Sequence, residues 1–149
     1  MPPRQRRQSP ERRDAAIRKY LPKAKGYWSK CPTYLVEADL CQAGEKGWCA
    51  VAQLSKAVAT HRGWVHSGHE DLLSAVRQIA DESPDREAVR RLMGSAERLH
   101  ANFYEAHLDR ADTEYSLADA DALLRILWAQ LPDERTGDVS FDDWVGREG

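Results

Sequence analysis

Apolar residues recur every three or four positions along most of the chain, which is the period of an amphipathic helix. No stretch alternates apolar and polar residues for long enough to predict a strand. The pattern predicts five helices joined by short connections, and short connections favour antiparallel neighbours. We therefore expect an all-α fold, an up-and-down bundle of four to five helices.

The first predicted helix begins at residues 9–11, Ser-Pro-Glu, which supply a capping side chain, a proline at the first helical position and an acid in the first turn. Its apolar face continues from Ile17 to Ala38. Pro22 and Pro32 interrupt this face, and each removes a backbone donor and clashes with the preceding turn. We expect two or three collinear helical pieces, kinked or broken near the two prolines.

The later helices have recognisable start and stop signals. Asp39 followed by Gln42 has the spacing of a capping box and opens the second helix, and Gly63 suits the left-handed position that ends it. A second capping box at 67–70 opens the third helix, and 83–84, Ser-Pro, opens the fourth.

Ser116 and Asp119 predict the start of the fifth helix, which is expected to end before Pro132. Beyond it, Phe141 and Trp144 stand among acidic residues. We expect a C-terminal tail that can dock on the bundle through these two rings.

The length of the chain fits a single domain. Its charged residues are unevenly distributed along the sequence. Residues 1–30 carry ten Lys/Arg and two acids, whereas 31–149 carry twelve Lys/Arg and twenty-two acids. We divide the chain into a basic N-terminal arm (1–22), a helical bundle (23–131) and an acidic tail (132–149), and leave open whether the arm is partly disordered. The arm neutralises phosphates, lies on an acidic surface of the protein or of a second copy, or is a solvated tail.

Cys31, Cys41 and Cys49 have no CxxC spacing, and their odd number leaves one without a partner. This predicts reduced, small core residues of an intracellular protein. No apolar run approaches the roughly 20 residues needed to cross a bilayer. The basic N-terminus is not followed by an apolar segment either. We expect a cytoplasmic protein without membrane contact.

The segment 96–109 places two histidines, an amide and a tyrosine on a helix that is otherwise typical of a core. On a helical wheel, one narrow stripe holds Val89, Leu92, Ala96, Phe103 and His107. His100 and Tyr104 lie along its edge. The opposite side holds Arg91, Arg98, Asn102 and Glu105. The segment therefore marks either a polar core or a site.

His100, Arg98 and Tyr104 are the residue types that metal-independent RNA cleavage needs, namely a base, a cation and a proton donor. Arg98 projects about 160° away from His100 on the helix, so a second copy would have to supply the cation. The alternatives are a binding pocket and a structural role, with the polar groups hydrogen-bonded to neighbouring helices. We favour the structural role.

Other candidates are weaker. His66 and His69, close to Glu70 and Asp71, are compatible with a divalent metal, but the spacing supplies no complete tetrahedral set, so we expect a capped loop with exposed imidazoles and no cofactor. Trp64 is a candidate for stacking on a base, or for covering the end of the bundle. The remaining candidate binding residues are Asn102, Glu105 and His107.

Two segments carry a family resemblance. Residues 34–50, Tyr-Leu-Val-Glu-Ala-Asp-Leu-Cys-Gln-Ala-Gly-Glu-Lys-Gly-Trp-Cys-Ala, combine a helix end, a tight turn and a helix bearing Glu-Lys-x-Trp. Residues 96–105, Ala-Glu-Arg-Leu-His-Ala-Asn-Phe-Tyr-Glu, are the second segment. Together they resemble domains of the HEPN superfamily, especially its PaREP-type branch, over about residues 27–131. The resemblance implies a HEPN-like bundle that often dimerises, in a superfamily rich in RNases, toxins and RNA- or nucleotide-associated modules.

Active members of that superfamily carry an arginine, four to six further residues and then a histidine on one helix. Aligning His100 with that histidine puts Gly94 or Ser95 where the arginine would stand. The formal match from Arg62 to His69 crosses a helix end in the wrong half of the domain. The resemblance therefore implies a module without the RNase motif.

These observations predict a non-catalytic HEPN-like binding or assembly module, associated with RNA or nucleotide. One alternative is a divergent metal-independent endoribonuclease of toxin-antitoxin type, and another is a structural homo-oligomer. The expected partners are a second copy of the chain, RNA or a nucleotide, and a nucleotidyltransferase-like protein or an antitoxin.

Overall fold

Helices form nearly all of the regular structure in the computed structural model, which describes residues 2–146. Within this range the helices are α1 (Pro10–Val36), α2 (Leu40–Arg62), α3 (His69–Asp81), α4 (Arg86–Glu105), α5 (Arg110–Ala129), α6 (Asp133–Thr136) and α7 (Phe141–Gly146). The predicted all-α class is confirmed. Residue 1 of the predicted arm and residues 147–149 of the predicted tail lie outside the described residues.

α2 is the central helix of the bundle, packed against α1, α3, α4 and α5. Its signals work as predicted, because Asp39 accepts a hydrogen bond from the Gln42 N–H and Gly63 ends the helix at φ 75°. The largest fully buried apolar side chains come from all five long helices and are Ile17, Val51, Leu54, Val58, Val76, Ile79, Leu99, Leu123, Leu124 and Leu127.

Two glycines let other helices approach α2 closely. A Cβ built on Gly47 would lie 2.5 Å from Leu117 Cδ2, and one on Gly44 would lie 3.0 Å from Leu99 Cδ2. Cβ atoms in proteins essentially never lie as close as 2.5 Å to another side-chain atom. The absence of side chains at these positions therefore sets the spacing of α4 and α5 on α2.

The predicted break in the first helix is wrong, because α1 is continuous through Pro22 and Pro32. Both prolines are exposed. The carbonyls that they leave without a helical donor therefore fall on the solvent side, where water can satisfy them. Burial of residues such as Ile17 and Leu21 against the bundle offsets the cost of about 3 kcal/mol per internal proline. α1 also crosses residue 22, the boundary between the predicted arm and bundle.

Three helix starts differ from the sequence prediction. α3 begins one residue late, because Asp71 accepts from the Gly68 N–H. α4 begins after Asp85, whose side chain accepts from the Ala88 N–H. α5 begins at Arg110, six residues before Ser116, because Asp109 is its capping residue.

Both ends of the described chain pack on the bundle. Residues 4–6 pair with 63–65 through the hydrogen bonds Arg6 N to Gly63 O (2.7 Å) and Val65 N to Arg4 O (2.8 Å). At the other end, Trp144 stacks on Trp128 at 4.3 Å, and Phe141 is buried. The prediction that Phe141 and Trp144 dock the tail is confirmed.

No helix in residues 2–146 combines the length and the apolar character that a membrane span requires.

Candidate functional site

Five side chains from α2, α3 and α4 form a group that we call the imidazole cluster: Glu45, Trp48, His69, Glu97 and His100. Trp48 is its buried base, only 6% exposed. The imidazole of His100 stacks on the indole at 5.0 Å and 24°, and that of His69 lies at 5.2 Å and 34°. The two histidine rings are 6.2 Å apart. The bundle thus brings together two histidines that are 31 positions apart in the sequence.

Helical periodicity explains how each helix contributes a pair. Glu45 and Trp48 are three residues apart on α2, so they lie side by side on one face. Glu97 and His100 have the same spacing on α4. His69 is the first residue of α3 and reaches the cluster from the start of that helix.

His100 is held by a carboxylate from the neighbouring helix. Its Nδ1 lies 3.1 Å from Glu45 Oε1 and 3.0 Å from Oε2. An Nδ1–H that donates to Glu45 leaves the lone pair of a neutral ring on Nε2. The Tyr104 ring meets the His100 ring edge-on at 5.8 Å, and Tyr104 is 76% exposed.

His69 forms the second imidazole–carboxylate pair, with Nε2 3.3 Å from Glu97 Oε2. Both side chains are about half exposed. The cluster can therefore hold two imidazoles in fixed orientations. Arg98 is exposed and projects about 160° from His100 around α4, so it does not give this cluster a phosphate-binding cation.

His66 and His69, the two candidate metal ligands, belong to different parts of the structure. His66 is buried and the prediction that it is exposed is wrong, whereas His69 belongs to the imidazole cluster. In residues 2–146 there is no group of three or more His, Cys, Asp or Glu side chains placed to hold a metal ion.

His66 is a structural residue with polar partners at both ring nitrogens. Its Nδ1–H donates to the Trp64 carbonyl (3.1 Å), and the single lone pair of Nε2 is shared by the hydroxyls of Tyr20 (3.1 Å) and Thr60 (3.3 Å). Burial lowers the pKa of His66 below its ordinary value. The neutral ring therefore joins α1, α2 and the loop before α3.

The helical-wheel prediction for α4 is wrong at its C-terminal end. Asn102, expected on the solvent side, is 1% exposed, and Phe103, expected in the apolar stripe, is 36% exposed. The helix stops at Glu105, with Ala106 in the left-handed region at φ 52°. Asn102 Oδ1 accepts from the N–H groups of His107 (2.7 Å) and Leu108 (2.9 Å). The amide is buried because it binds the backbone of the reversing chain.

The other candidate binding residues do not converge. Glu105 and His107 are exposed and pair with each other, with His107 Nδ1 3.2 Å from Glu105 Oε2. Trp64 is 5% exposed, and the Arg62 guanidinium lies 4.4 Å from its ring centre. Trp64 therefore covers the bundle end and offers no open face to a base.

The three cysteines are free. Burial raises the pKa of Cys31 to about 12 and that of Cys49 to about 11, the latter with a further contribution from the nearby Glu45. These two thiols stay protonated near neutral pH, so neither is an activated nucleophile.

A second feature lies on the solvent side of α1. Its exposed cations form a line that we call the cationic stripe: Arg12, Lys19, Lys23 and Lys30. Successive spacings of seven, four and seven residues keep them within about 20° of one line, over roughly 27 Å of helix. None of the four is ion-paired with a carboxylate in the described part of the chain. Asp14 of α1 forms ion pairs, but with Arg18 and Arg135.

An aromatic ring borders the stripe. The ammonium groups of Lys30 and Lys46 lie 5.8 Å and 5.7 Å from the centre of the Tyr27 ring, which is partly exposed. Lys46 thereby extends the positive surface from α1 to α2. By contrast, Arg4 in the N-terminal segment is paired with Asp71 at 2.9 Å.

Sequence reasoning missed two parts of these features. Glu45 had no predicted role, although its spacing from Trp48 was available as a signal. The basic arm was recognised from its charge, but the regular spacing of its lysines along one continuous helix was not. The predicted break at Pro22 would have placed the residues of the cationic stripe on separate helical pieces.

No curated protein and no solved structure matches the chain significantly. The sequence model of the Archaeal PaREP1/PaREP8 family matches residues 19–124, from within α1 to within α5. This span contains the whole imidazole cluster and most of the cationic stripe. The chain belongs to the Archaeal PaREP1/PaREP8 family.

Proposed function

We propose that this protein is a non-catalytic, HEPN-like binding module that holds RNA by its phosphate backbone along the cationic stripe of α1. The observation that carries the proposal is the line of four exposed cations without carboxylate partners in residues 2–146. Cations already paired within a protein gain little from a phosphate, whereas unpaired ones release the counterions of the nucleic acid when they bind.

The charge of the remaining chain supports a single binding face. Residues 31–149 carry twelve Lys/Arg against twenty-two acids, so most of the body repels phosphates. The stripe is therefore the surface on which a polyanion is most favoured.

Tyr27 supports a single-stranded ligand. The ammonium groups of Lys30 and Lys46 lie 5.8 Å and 5.7 Å from the centre of its partly exposed ring. Aromatic rings beside cations can stack on unpaired bases while the cations bind the adjoining phosphates. Such contacts carry little sequence preference, so we expect weak binding that depends strongly on salt.

Fluorescence anisotropy with a labelled single-stranded RNA tests the proposal. Four phosphate contacts predict a slope of log affinity against log salt of about −3. Substituting the four stripe residues, R12Q, K19Q, K23Q and K30Q, is expected to remove binding at low salt. A matched control, R77Q, R90Q, R91Q and R98Q, changes the net charge equally on α3 and α4 and is expected to retain most of it.

Equal losses in the two variants would show that only net charge matters and would contradict a defined face. Absence of binding by the wild type would contradict the proposal as a whole. Deleting the arm is a poor substitute for these variants, because Ile17 and Leu21 of α1 belong to the core.

A divergent metal-independent endoribonuclease is the second candidate, and the Glu45–His100 pair favours it. A carboxylate on Nδ1 leaves Nε2 able to take a proton from a 2′-hydroxyl. The missing cation would have to come from a second copy. Cleavage of RNA in the presence of a chelator, lost in a folded His100→Ala variant, would replace the binding module with this function, and a search for an antitoxin partner would follow.

A further inference from the structure

The solvent-facing side of α5 carries apolar residues where a bundle helix usually carries charges. Tyr115 is 74% exposed, and alanines on the same line are exposed or partly exposed. The residues follow one another at steps of four or three, as in a helix-packing seam, and are Ala111, Tyr115, Ala118, Ala122, Ile126 and Ala129. We call this line the α5 seam.

An apolar groove adjoins the seam. It has a volume of about 630 Å³ and lies between α1 and α5, with Trp28, Pro32 and Leu35 on one wall and Leu117, flanked by Glu114 and Asp121, on the other. Ala118 belongs to both the groove and the seam. The apolar surface therefore extends beyond one helix, as at surfaces that bind another protein.

The seam is complementary to itself when it is turned end for end. Reversal about residue 120 places Ala118 opposite Ala122 and brings Tyr115 to within one residue of the position opposite Ile126. Ala111 then faces Ala129. Small residues at the centre allow close approach of two helices, and the larger pair fills the space to one side.

The charges along one edge of the seam have the same symmetry. Glu114 and Arg125 lie on this edge, and the same reversal brings each to within one residue of the position opposite the other. In an antiparallel helix pair like edges face each other, so each Glu114, which pairs with Arg110 of its own helix at 3.4 Å, would also meet the partner's Arg125. Arg125 donates three of its five N–H groups to Asp121 and Asp142, which leaves two for this contact.

We infer that two copies of this chain associate through the α5 seam, antiparallel and across a two-fold axis near residue 120. A parallel arrangement would place Tyr115 against Tyr115 and would lose the match of Glu114 with Arg125. A two-fold axis makes one self-complementary surface sufficient for a closed dimer. The seam shares no residue with the cationic stripe, so this inference does not depend on RNA binding.

Sedimentation velocity at micromolar concentrations tests the association. The wild type is expected to sediment as a dimer. Ala118→Glu places a carboxylate at the crossing point and is expected to weaken association by roughly tenfold or more. Ala15→Glu, at an exposed alanine of α1, is the matched control and is expected to remain dimeric. Circular dichroism melting verifies that both variants are folded. A monomeric wild type, or an Ala118→Glu variant that dimerises like the control, would overturn the proposal.

Cysteine cross-linking tests the orientation, in a background with Cys41 and Cys49 replaced by serine. The double variant Ala111→Cys/Ala129→Cys is expected to form a disulfide-linked dimer on oxidation. Each single variant is expected to remain unlinked, because like positions lie at opposite ends of the seam. Cross-linking of the Ala111→Cys single variant would show a parallel pair, and an unlinked double variant would place the interface elsewhere. Either result would overturn the antiparallel seam.

Discussion

Both carboxylate oxygens of Glu45 lie within 3.1 Å of His100 Nδ1, so one hydrogen-bonded pair joins α2 to α4 at the surface of the bundle. The His100 ring is also stacked on Trp48, which belongs to the core. The pair therefore connects an exposed polar cluster directly to the packing beneath it.

Replacing His100 is expected to destabilise the protein. His100→Ala should lower the free energy of unfolding by about 1 to 3 kcal/mol, because it removes the stacked ring and deprives Glu45 of its imidazole donor. His107→Ala, which loses only a surface pair with Glu105, should change it by less than about 0.5 kcal/mol. Urea denaturation of both variants measures the difference, and similar values for the two would contradict a structural role for His100.

Asn102 should be more sensitive to substitution than its polar neighbours. Asn102→Ala leaves the N–H groups of His107 and Leu108 without their acceptor, so we expect a loss of about 2 to 3 kcal/mol. Asn102→Asp keeps an acceptor oxygen and should lose less. Thermal melting with urea denaturation tests the order, and an equal loss in both variants would show that the retained acceptor oxygen does not decide stability at this position.

Two glycine-to-alanine substitutions should change the free energy of unfolding in opposite directions. Gly47→Ala should destabilise the protein by about 1 to 3 kcal/mol, because the new Cβ would meet Leu117 Cδ2 at 2.5 Å. Gly26→Ala on α1 has no atom within 4 Å of its Cβ and should stabilise the helix by about 0.5 to 1 kcal/mol. Urea denaturation measures both, and a neutral Gly47→Ala would show that α5 can move away from α2 at little cost.

Acid should weaken the fold through His66. Burial lowers the pKa of His66 in the folded state below the ordinary 6.5, so the folded protein binds fewer protons than the unfolded chain. The stabilising contribution is complete above pH 6.5 and is lost as the pH falls through that value towards the folded pKa.

Urea denaturation between about pH 7.5 and 5 measures this dependence. In His66→Asn the slope should be smaller but not zero, because burial also lowers the pKa of His61. A slope unchanged from the wild type would show that His66 does not titrate with unfolding.

Helical periodicity and capping residues were enough to predict the fold class. The α2 helix was the clearest case, because Asp39 and Gly63 act through the backbone next to them and need no tertiary partner. Family membership was also accessible, since the PaREP-type part of the resemblance is confirmed. Signals of this kind act between residues that are close in the sequence, so they can be identified from the sequence alone.

The tertiary structure decided the continuity of α1 and the direction of the Asn102 side chain. Packing against α2 keeps α1 helical through Pro22 and Pro32, although propensity alone predicts a break. Asn102 turns inward because the chain reverses after Glu105 and presents two backbone donors to it. The imidazole cluster also depends on the tertiary fold, since His69 and His100 meet only where α3 and α4 both pack beside Trp48. Such contacts join residues far apart in the sequence, and their energy exists only once the helices have been brought together.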